Sequence, residues 1–186
     1  MSSTVPAITA SSQAFTLPAT LLSDGFSLRP EADGDIAFLM ALFASTREEE
    51  LAQTPWSPEQ KSGFLAMQFN AQRTHYRTHM ADAEWIVLLH QGSPIGRIYL
   101  HWLRVSIDLI DIALIPAWRG KGVGSAIMTQ LLTLSDSVGK PICLFVERFN
   151  PALRLYSRLG FVEVADGDVY LEMKRDPVSA ASDAFS

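Results

Sequence analysis

Hydrophobic positions in the first half of the chain recur at helical spacing in two stretches. The first contains Ile36, Leu39, Met40 and Phe43. The second runs from about Ser57 to about His79, and Thr54-Pro55-Trp56 separates the two. Ser57 suits an N-cap, and Pro58 suits the first helical position because the N–H that proline lacks would have no helical partner there. The pattern therefore predicts two helices.

Short apolar stretches bounded by turn residues predict seven strands: residues 26–30, 84–89, 95–100, 107–115, 142–146, 161–165 and 169–174. Gly and Pro in 91–94 indicate a hairpin turn, and 166–168 indicate another. A helix beginning at Gly122 and ending at Gly139 separates the fourth and fifth strands, and a short helix from Asn150 to Gly160 follows the fifth. This order predicts one α/β domain of the α+β type, with a mixed, mostly antiparallel central sheet flanked by helices.

Composition narrows the classes of function. The net charge is -5 and no segment gathers lysine and arginine, so nothing indicates a nucleic-acid partner. The charge instead favours a cationic small molecule. No stretch approaches the roughly 18 apolar residues of a membrane span, and no His, Cys and carboxylate residues have the spacing of metal ligands.

The two ends differ in composition from the rest of the chain. Residues 1–22 are rich in Ser, Thr and Ala and have no basic residue, so they predict a flexible leader rather than a signal peptide. Residues 176–186 predict a flexible tail, which leaves 23–175 as the folded domain. The single cysteine, Cys143, lies in an apolar stretch. It predicts a buried, unreactive thiol in a cytoplasmic protein.

A glycine-rich turn between the fourth strand and the next helix carries the clearest chemical signal. Its sequence is Arg119-Gly120-Lys121-Gly122-Val123-Gly124-Ser125. Glycines let a ligand approach the backbone closely. The helix N-terminus offers free N–H groups and the positive end of the helix dipole to a phosphate. Arg119 and Lys121 are expected to add positive charge where a pyrophosphate would lie.

Two other phosphate-binding loops do not fit this turn. A Walker loop needs four residues between its first glycine and Gly-Lys-Ser/Thr, which the turn lacks. In a dinucleotide fingerprint beginning at Gly122, Ile127 would replace the third glycine. Glu147 ends the next strand, where a ribose-binding acid is expected, but too little chain follows for a doubly wound sheet. A glycine-rich turn without a ligand stays open as the structural alternative.

The turn resembles a motif of a known family. Residues 119–124 are similar to the (Arg/Gln)-x-x-Gly-x-(Gly/Ala) signature of the GNAT superfamily of acyl-CoA-dependent acyltransferases. The similarity extends backward through 111–118, and residues 150–161 resemble the second cofactor motif of the superfamily. Leu28-Arg29-Pro30 resembles its usual first strand. The resemblance covers 26–174, and the part before residue 84 is the less diagnostic.

The resemblance implies a sheet that is splayed between its fourth and fifth strands, with acetyl-CoA as acyl donor and no metal. Its pantetheine arm would enter the gap and pair with the free edge of the fourth strand. The amides of the turn would hold the pyrophosphate, and Asn150 would cap its helix and touch the arm. The expected cofactor contacts are Ala113, Leu114, Ile115, Arg119, Gly120, Lys121, Gly122, Val123, Gly124, Ser125, Asn150 and Tyr156.

Catalytic roles follow partly from the resemblance and partly from chemistry. Tyr156 stands four residues before Gly160, as in the family pattern, and would protonate the departing thiolate as a general acid. The alternative is an aromatic that only packs in its helix. The candidates for the general base are Asp108 and Asp111, which alternation places on opposite faces of the strand. His101 and a chain of water molecules stay open as further candidates.

The predicted function is that of an N-acetyltransferase, which transfers acetyl from acetyl-CoA to a primary amine of a small molecule or peptide. Direct attack in a ternary complex would draw much of its rate from orientation, and a backbone N–H of the fourth strand would stabilise the oxyanion. In the family, the first two helices and their connection wall the acceptor site, and here these segments carry Glu48, Glu49, Glu50, Trp56, Gln68, Gln72, His75 and His79. The resemblance is compatible with a homodimer.

The alternative function belongs to a different class, a catalytically idle acyl-CoA-binding module for sensing or assembly. Such a module would also need the glycine-rich turn. It would not need Tyr156 or an acceptor pocket, so the presence of Tyr156 favours the enzyme.

Overall fold

Seven strands with helices on both faces make up residues 14–178, the part of the chain that the computed structural model describes. The strands are β1 (Phe26–Pro30), β2 (Glu84–His90), β3 (Ser93–Trp102), β4 (Ile107–Leu114), β5 (Ile142–Glu147), β6 (Val162–Asp166) and β7 (Tyr170–Arg175). They form one sheet in the order β1-β2-β3-β4-β5-β7-β6. Only β4 and β5 are parallel neighbours. The predicted mixed, mostly antiparallel sheet is confirmed.

The helices include the predicted ones and two short additions. They are α1 (Ala19–Ser23), α2 (Ile36–Thr46), α3 (Glu48–Ala52), α4 (Pro58–His79), α5 (Val123–Val138) and α6 (Leu153–Arg158), with single 3₁₀ turns at Asp33–Asp35 and Pro116–Trp118. At the start of α4, Ser57 Oγ accepts from the Gln60 N–H and the Gln60 side chain accepts from the Ser57 N–H. This capping box explains why the predicted N-terminus of α4 is correct.

The sheet is packed on both faces. On one face, α5 contributes Val123, Ile127, Met128 and Leu131 to the main core. On the other face, α2 and α4 pack together through Leu39, Phe43 and Phe69. The second face is the more polar of the two, and the candidate site lies on it.

The predicted flexible leader is wrong for its last residues. Phe15, Leu17 and Leu21 are each 5–7% exposed and belong to the main core, and α1 begins at Ala19. The packed part of the chain therefore begins by Phe15, because apolar side chains in this segment cover one end of the core. Residues 1–13 of the leader and 179–186 of the tail lie outside the described residues. The domain limits 23–175 stay a prediction apart from this correction.

The hairpin predicted at 91–94 is confirmed and is tighter than expected. Gln91 and Gly92 form its two-residue turn with φ values of 49° and 80°, so Ser93 already pairs with His90. Positive φ at both turn residues is typical of the two-residue turns that match the twist of the strands.

Candidate active site

The parallel strands β4 and β5 separate soon after they begin. Their pairing runs from Ile107 opposite Ile142 to Leu109 opposite Leu144 and then ends, although both strands continue. The predicted splay between the fourth and fifth strands is thus confirmed. The gap leads into an opening of about 190 Å³, lined among others by Tyr156.

The glycine-rich turn lies at the end of β4 and leads directly into α5. Gly120 and Gly122 have φ values of 69° and 84°, and a Cβ on either would meet no protein atom within 4 Å. The first helical bond runs from the Ala126 N–H to the Gly122 carbonyl. The three preceding N–H groups, of Val123, Gly124 and Ser125, therefore have no helical acceptor. The turn fits an anionic group that approaches the backbone from solvent.

The Arg119 side chain does not point toward this turn. Its Nε donates to the Leu114 carbonyl at 2.8 Å, and its two Nη atoms donate to the Ser45 carbonyl and hydroxyl at 3.1 and 2.7 Å. Arg119 thus ties β4 to α2, and its contribution of charge to a bound pyrophosphate stays a prediction. Lys121 is exposed, and its ammonium lies 5.1 Å from the centre of the Trp118 ring.

The free edge of β4 offers fewer backbone groups than expected. The Ile115 N–H donates to the Ile95 carbonyl at 2.9 Å, so that amide faces β3 and is already used in the sheet. Backbone groups of successive strand residues point to opposite edges, so Ile112 and Leu114 present theirs to the gap. Of the three predicted backbone contacts, the Leu114 N–H fits, although its carbonyl already accepts from Arg119, while the amides of Ala113 and Ile115 face β3.

Asn150 lies in the turn that precedes α6 and stabilises it. The helix α6 begins at Leu153, not at Asn150, and Ala152 is its N-cap residue. The Asn150 side chain accepts a hydrogen bond from the Ala152 N–H at 2.9 Å. It therefore stabilises the turn that leads into α6, and it also lines the opening.

Tyr156 both packs in the core and lines the opening. Its side chain is 7% exposed, and its ring centre lies 5.7 Å from that of Phe161. Burial, and next the negative charge of Asp111, raise the pKa of Tyr156 to about 12. The phenol therefore keeps its proton at neutral pH and is available as a hydrogen-bond donor.

A β-bulge places the two candidate bases on the same face of the sheet. Ile110 has no partner in the register between β3 and β4. On either side of it, Leu109 and Ile112 both pack against the main core, so Asp108 and Asp111 both point to the opposite face. The predicted opposite orientation is wrong, because the extra residue of the bulge resets the alternation.

Asp111 is held in an ion pair that the sequence alone did not suggest. The guanidinium of Arg97, which is 3% exposed, binds the Asp111 carboxylate and also donates to the Gln72 side chain at 3.2 Å. A charged residue in the apolar strand 95–100 is the signal that could have revealed this pair, because a buried charge needs a partner. Asp111 is therefore a fixed negative charge beside Tyr156.

A second buried network lies on the same face, behind Arg97. The Glu31 side chain, 1% exposed, accepts from Arg73, Arg77 and the Tyr99 hydroxyl. Burial alone would raise the pKa of Glu31, but hydrogen bonds from Tyr99 and Arg73 and the charges of both arginines hold it below its usual value. These contacts join β1, β3 and α4 and so fix the helix that forms one wall of the site.

Beside the opening lies a larger space, which we call the lateral cleft. It has a volume of about 880 Å³ and lies between α4, the middle of β4 and β5, and the hairpin of β6 and β7. Gln68, Gln72 and His75 of the predicted acceptor wall line it. The other predicted wall residues, Glu48, Glu49, Glu50, Trp56 and His79, do not line it.

Three further residues weighed from the sequence have structural partners. His101 Nε2 lies 2.8 Å from Asp82 Oδ1, outside both spaces. Glu147 binds Arg47 at 2.6 Å across the gap between α2 and β5. Cys143 lies on the floor of the lateral cleft, partly buried rather than fully buried, and burial raises the pKa of its thiol.

No group of three or more His, Cys, Asp or Glu side chains within residues 14–178 is arranged to hold a metal ion. In the same range, no helix is both long and apolar enough to cross a membrane.

Comparison with known proteins agrees with this geometry. Residues 81–163 match a family model described as an acetyltransferase (GNAT) domain. This part of the chain, 83 of its 186 residues, is similar to GNAT acetyltransferase domains. The match includes β2 to β5, the glycine-rich turn and α6, and it confirms the resemblance seen in the sequence. A search of curated proteins found no significant match.

Solved structures show the same GNAT fold. The PaiA N-acetyltransferase of Thermoplasma acidophilum, in complex with coenzyme A, has a TM-score of 0.61 at 16% identity, over 81% of this chain and 98% of that chain. A histone acetyltransferase HPA2 and related acetyltransferase of Corynebacterium glutamicum has a TM-score of 0.58 at 18% identity, over 84% and 99%. Ard1 of Thermoplasma volcanium has a TM-score of 0.52 at 21% identity, over 83% of this chain and 99% of that chain. At these identities the likeness establishes the fold.

Proposed function

We propose that this protein is an N-acetyltransferase that transfers an acetyl group from acetyl-CoA to a primary amine by direct attack. The observation that carries the proposal is the gap between β4 and β5, which has the glycine-rich turn at one end and the Tyr156 side chain in its wall. A plain structural turn would need neither the gap nor the open space around Gly120 and Gly122.

The binding residues of acetyl-CoA follow from this geometry. The N–H groups of Val123, Gly124 and Ser125 would hold the pyrophosphate at the helix N-terminus. The edge of β4 at Leu114 and the Asn150 side chain would border the pantetheine arm in a strand-addition mode. Bound there, acetyl-CoA supplies an activated acyl carbon within the opening.

Groups of the protein would then position the reacting atoms and donate a proton to the leaving sulfur. The amine nitrogen forms a bond to the acyl carbon while the carbon–sulfur bond breaks, and Tyr156 donates a hydrogen bond and then its proton to the departing sulfur. An N–H at the β4 edge would stabilise the negative charge on the acyl oxygen. The nitrogen loses its proton to water in the open cleft, and a proton from water restores the phenol.

Asp111 would act through its charge rather than as the base. Because the buried Arg97 guanidinium binds it, its carboxylate is fixed in place and already paired. Positive charge that builds on the attacking nitrogen lies in its field, which favours bond formation. Asp108 lies nearer the start of β4 and lines the lateral cleft, whereas Tyr156 lines the opening at the gap.

The test is a thermal-shift titration followed by an activity assay with a panel of amines. Acetyl-CoA should raise the melting temperature, by the equivalent of about 2.7 kcal/mol at a hundred times its dissociation constant. NAD and ATP serve as controls, and a shift with these but not with acetyl-CoA or CoA contradicts the proposal. If acetyl-CoA binds but no amine is acetylated, the idle acyl-CoA-binding module is the correct function.

A further inference from the structure

A small cavity, which we call the inner cavity, lies between α4 and the strands β2 and β3. Its volume is about 10 Å³, which is roughly the space that one buried water molecule needs. Its lining includes Trp85 of β2, Arg97 and Tyr99 of β3, and Gln72 and Tyr76 of α4. Because Gln72, Tyr76 and Arg97 also line the opening at the gap, the inner cavity lies directly behind the candidate site.

Two buried hydrogen-bond donors at the inner cavity have no protein acceptor. The Nε atom of Arg97 and the Nε1 atom of Trp85 are buried, and neither donates to any group within residues 14–178. The Arg97 side chain is only 4% exposed. Buried donors in native proteins are nearly all bonded, either to the protein or to an ordered water. Two such donors on the lining of one cavity therefore indicate an acceptor that they share.

Both donor side chains are held in place by other contacts. The ring centres of Trp85 and Tyr99 lie 4.8 Å apart, edge to face, and the Arg77 guanidinium lies 4.3 Å from the centre of the Trp85 ring. At the other donor, the far end of the Arg97 guanidinium binds the Asp111 carboxylate. A movement that paired either N–H with a protein group would break these contacts. The acceptor must therefore come to the donors.

The lining also provides acceptors, which a water molecule can use and an anion cannot. The Gln72 carbonyl oxygen accepts one hydrogen bond, from Arg97, and has a second lone pair. The Tyr99 hydroxyl donates to Glu31 and keeps its own lone pairs. A buried water typically makes about three hydrogen bonds, and these donors and acceptors suffice for them. The Glu31 carboxylate, one hydrogen bond beyond Tyr99, also disfavours a second negative charge here.

We propose that the inner cavity binds one water molecule, which accepts hydrogen bonds from Arg97 Nε and Trp85 Nε1 and so fixes the guanidinium that holds Asp111. The Nη2 atom of Arg97 already donates to Gln72 and to Asp111, and the water completes the hydrogen bonding of the Nε side. Through Trp85 it joins β2 to the ion pair between β3 and β4. The water site itself does not depend on the proposed acetyltransferase function.

A high-resolution crystal structure of the full-length protein tests the site directly. A spherical peak of electron density should lie at about 2.7–3.2 Å from both nitrogen atoms, Arg97 Nε and Trp85 Nε1. Crystals soaked in bromide should give no anomalous signal at this peak, because the ligand is neutral. A bromide signal, or the absence of density between the two nitrogens, would overturn the proposal.

Nuclear Overhauser spectra of the ¹⁵N-labelled protein test the same site in solution. The indole N–H proton of Trp85 should show a direct cross-peak to a bound water, whereas that of Trp102 should not. Trp102 is the matched control, because its Nε1 atom is also buried and lacks an acceptor in the range 14–178, but it does not line the inner cavity. A Trp85 cross-peak no stronger than that of Trp102 would contradict the proposal.

Trp85→Phe tests whether the water fixes Arg97. The variant removes one of the two donors to the water and keeps an aromatic ring against Tyr99. The Nε–H proton of Arg97 should then exchange with solvent about tenfold faster than in the parent, whereas Trp102→Phe should leave its rate unchanged. An unchanged rate in Trp85→Phe, or an equal acceleration in both variants, would overturn the positioning of Arg97 by the water.

The consequence for the reaction, unlike the site, rests on the proposed function. Because Asp111 would act through its charge, Trp85→Phe should lower kcat by about fivefold, the weight of one hydrogen bond. The dissociation constant of acetyl-CoA should stay within about twofold of the parent, and Trp102→Phe should change neither value. Equal kcat for Trp85→Phe and the parent would contradict the positioning role. If no amine is acetylated, the density, cross-peak and exchange measurements still decide the proposal, because none of them needs activity.

Discussion

Replacing Tyr156 with phenylalanine separates its two roles. The ring would keep its contact with Phe161, and the phenolic oxygen makes no hydrogen bond to another group within residues 14–178. The free energy of unfolding should therefore change by less than about 1 kcal/mol. The chemical step should lose the proton donor, and kcat should fall on the order of 10²-fold, the low end for one positioned acid.

The affinity for acetyl-CoA separates binding from catalysis in this variant. Because only the hydroxyl is lost, the dissociation constant should stay within about twofold of the parent, so the loss marks an interaction made in the transition state. The pH profile provides a further check. Since the pKa of Tyr156 is raised to about 12, its deprotonation should cause no loss of activity between pH 8 and 10.

The assay is steady-state kinetics with the best amine of the panel, together with calorimetric titration and thermal unfolding. Tyr170→Phe is the control, because it removes a phenol from the rim of the same site without touching Phe161; its kcat should stay within about threefold of the parent. If Tyr156→Phe keeps its activity within about twofold while chemistry is rate-limiting, the residue is only part of the core.

Four further predictions concern three glycines and the buried carboxylate. Gly124→Val should leave the circular dichroism spectrum unchanged, because a Cβ at this position meets no protein atom closer than 4.0 Å. The side chain would lie in front of the N–H groups at the start of α5, so calorimetric titration should show no binding of acetyl-CoA. Gly96→Ala should destabilise by about 1–3 kcal/mol in denaturant unfolding, because its Cβ would lie 2.5 Å from the Ala113 carbonyl. In contrast, Gly63→Ala, in open space on a helix, should stabilise by about 0.5–1 kcal/mol. The pKa of Glu31 is lower in the folded protein than its usual value of 4.5. Ionised Glu31 therefore contributes fully to the free energy of unfolding above that value, and the contribution is lost as the pH falls through the lower pKa of the folded protein. At pH 7, Glu31→Gln should therefore be less stable than the parent by about 3–5 kcal/mol. Its free energy of unfolding should then fall less than that of the parent on acidification. An equal fall in acid for the two proteins would contradict this.

Local signals predicted the strands, the main helices and the glycine-rich turn directly. The capping box at Ser57 and the αL glycines at Gly122 and Gly139 are decided by residues within a few positions of one another. The alternation of apolar residues likewise gave all seven strands to within about three residues at each end. Such features depend on side-chain and backbone preferences that act before any distant segment is in place.

Orientation within the site required the tertiary structure. The Arg119 guanidinium reaches α2 because Ser45, 74 positions earlier in the chain, provides two oxygens for it. Asp108 and Asp111 share a face because the pairing of β4 with β3 leaves out Ile110. Neither the acceptor of the guanidinium nor the bulge has a signature in the residues that surround it.

The sequence by itself determined the order of the seven strands and four main helices, the resemblance to GNAT acetyltransferases and the place of the glycine-rich turn, since each follows from periodicity or from a contiguous motif. Only the tertiary structure decided that Arg97 holds Asp111, that Phe15 belongs to the core, and that the lateral cleft opens into the gap. The physical reason is that burial, ion pairing and cavity shape depend on which distant groups meet, and folding brings these groups together across strands and helices that the chain itself separates.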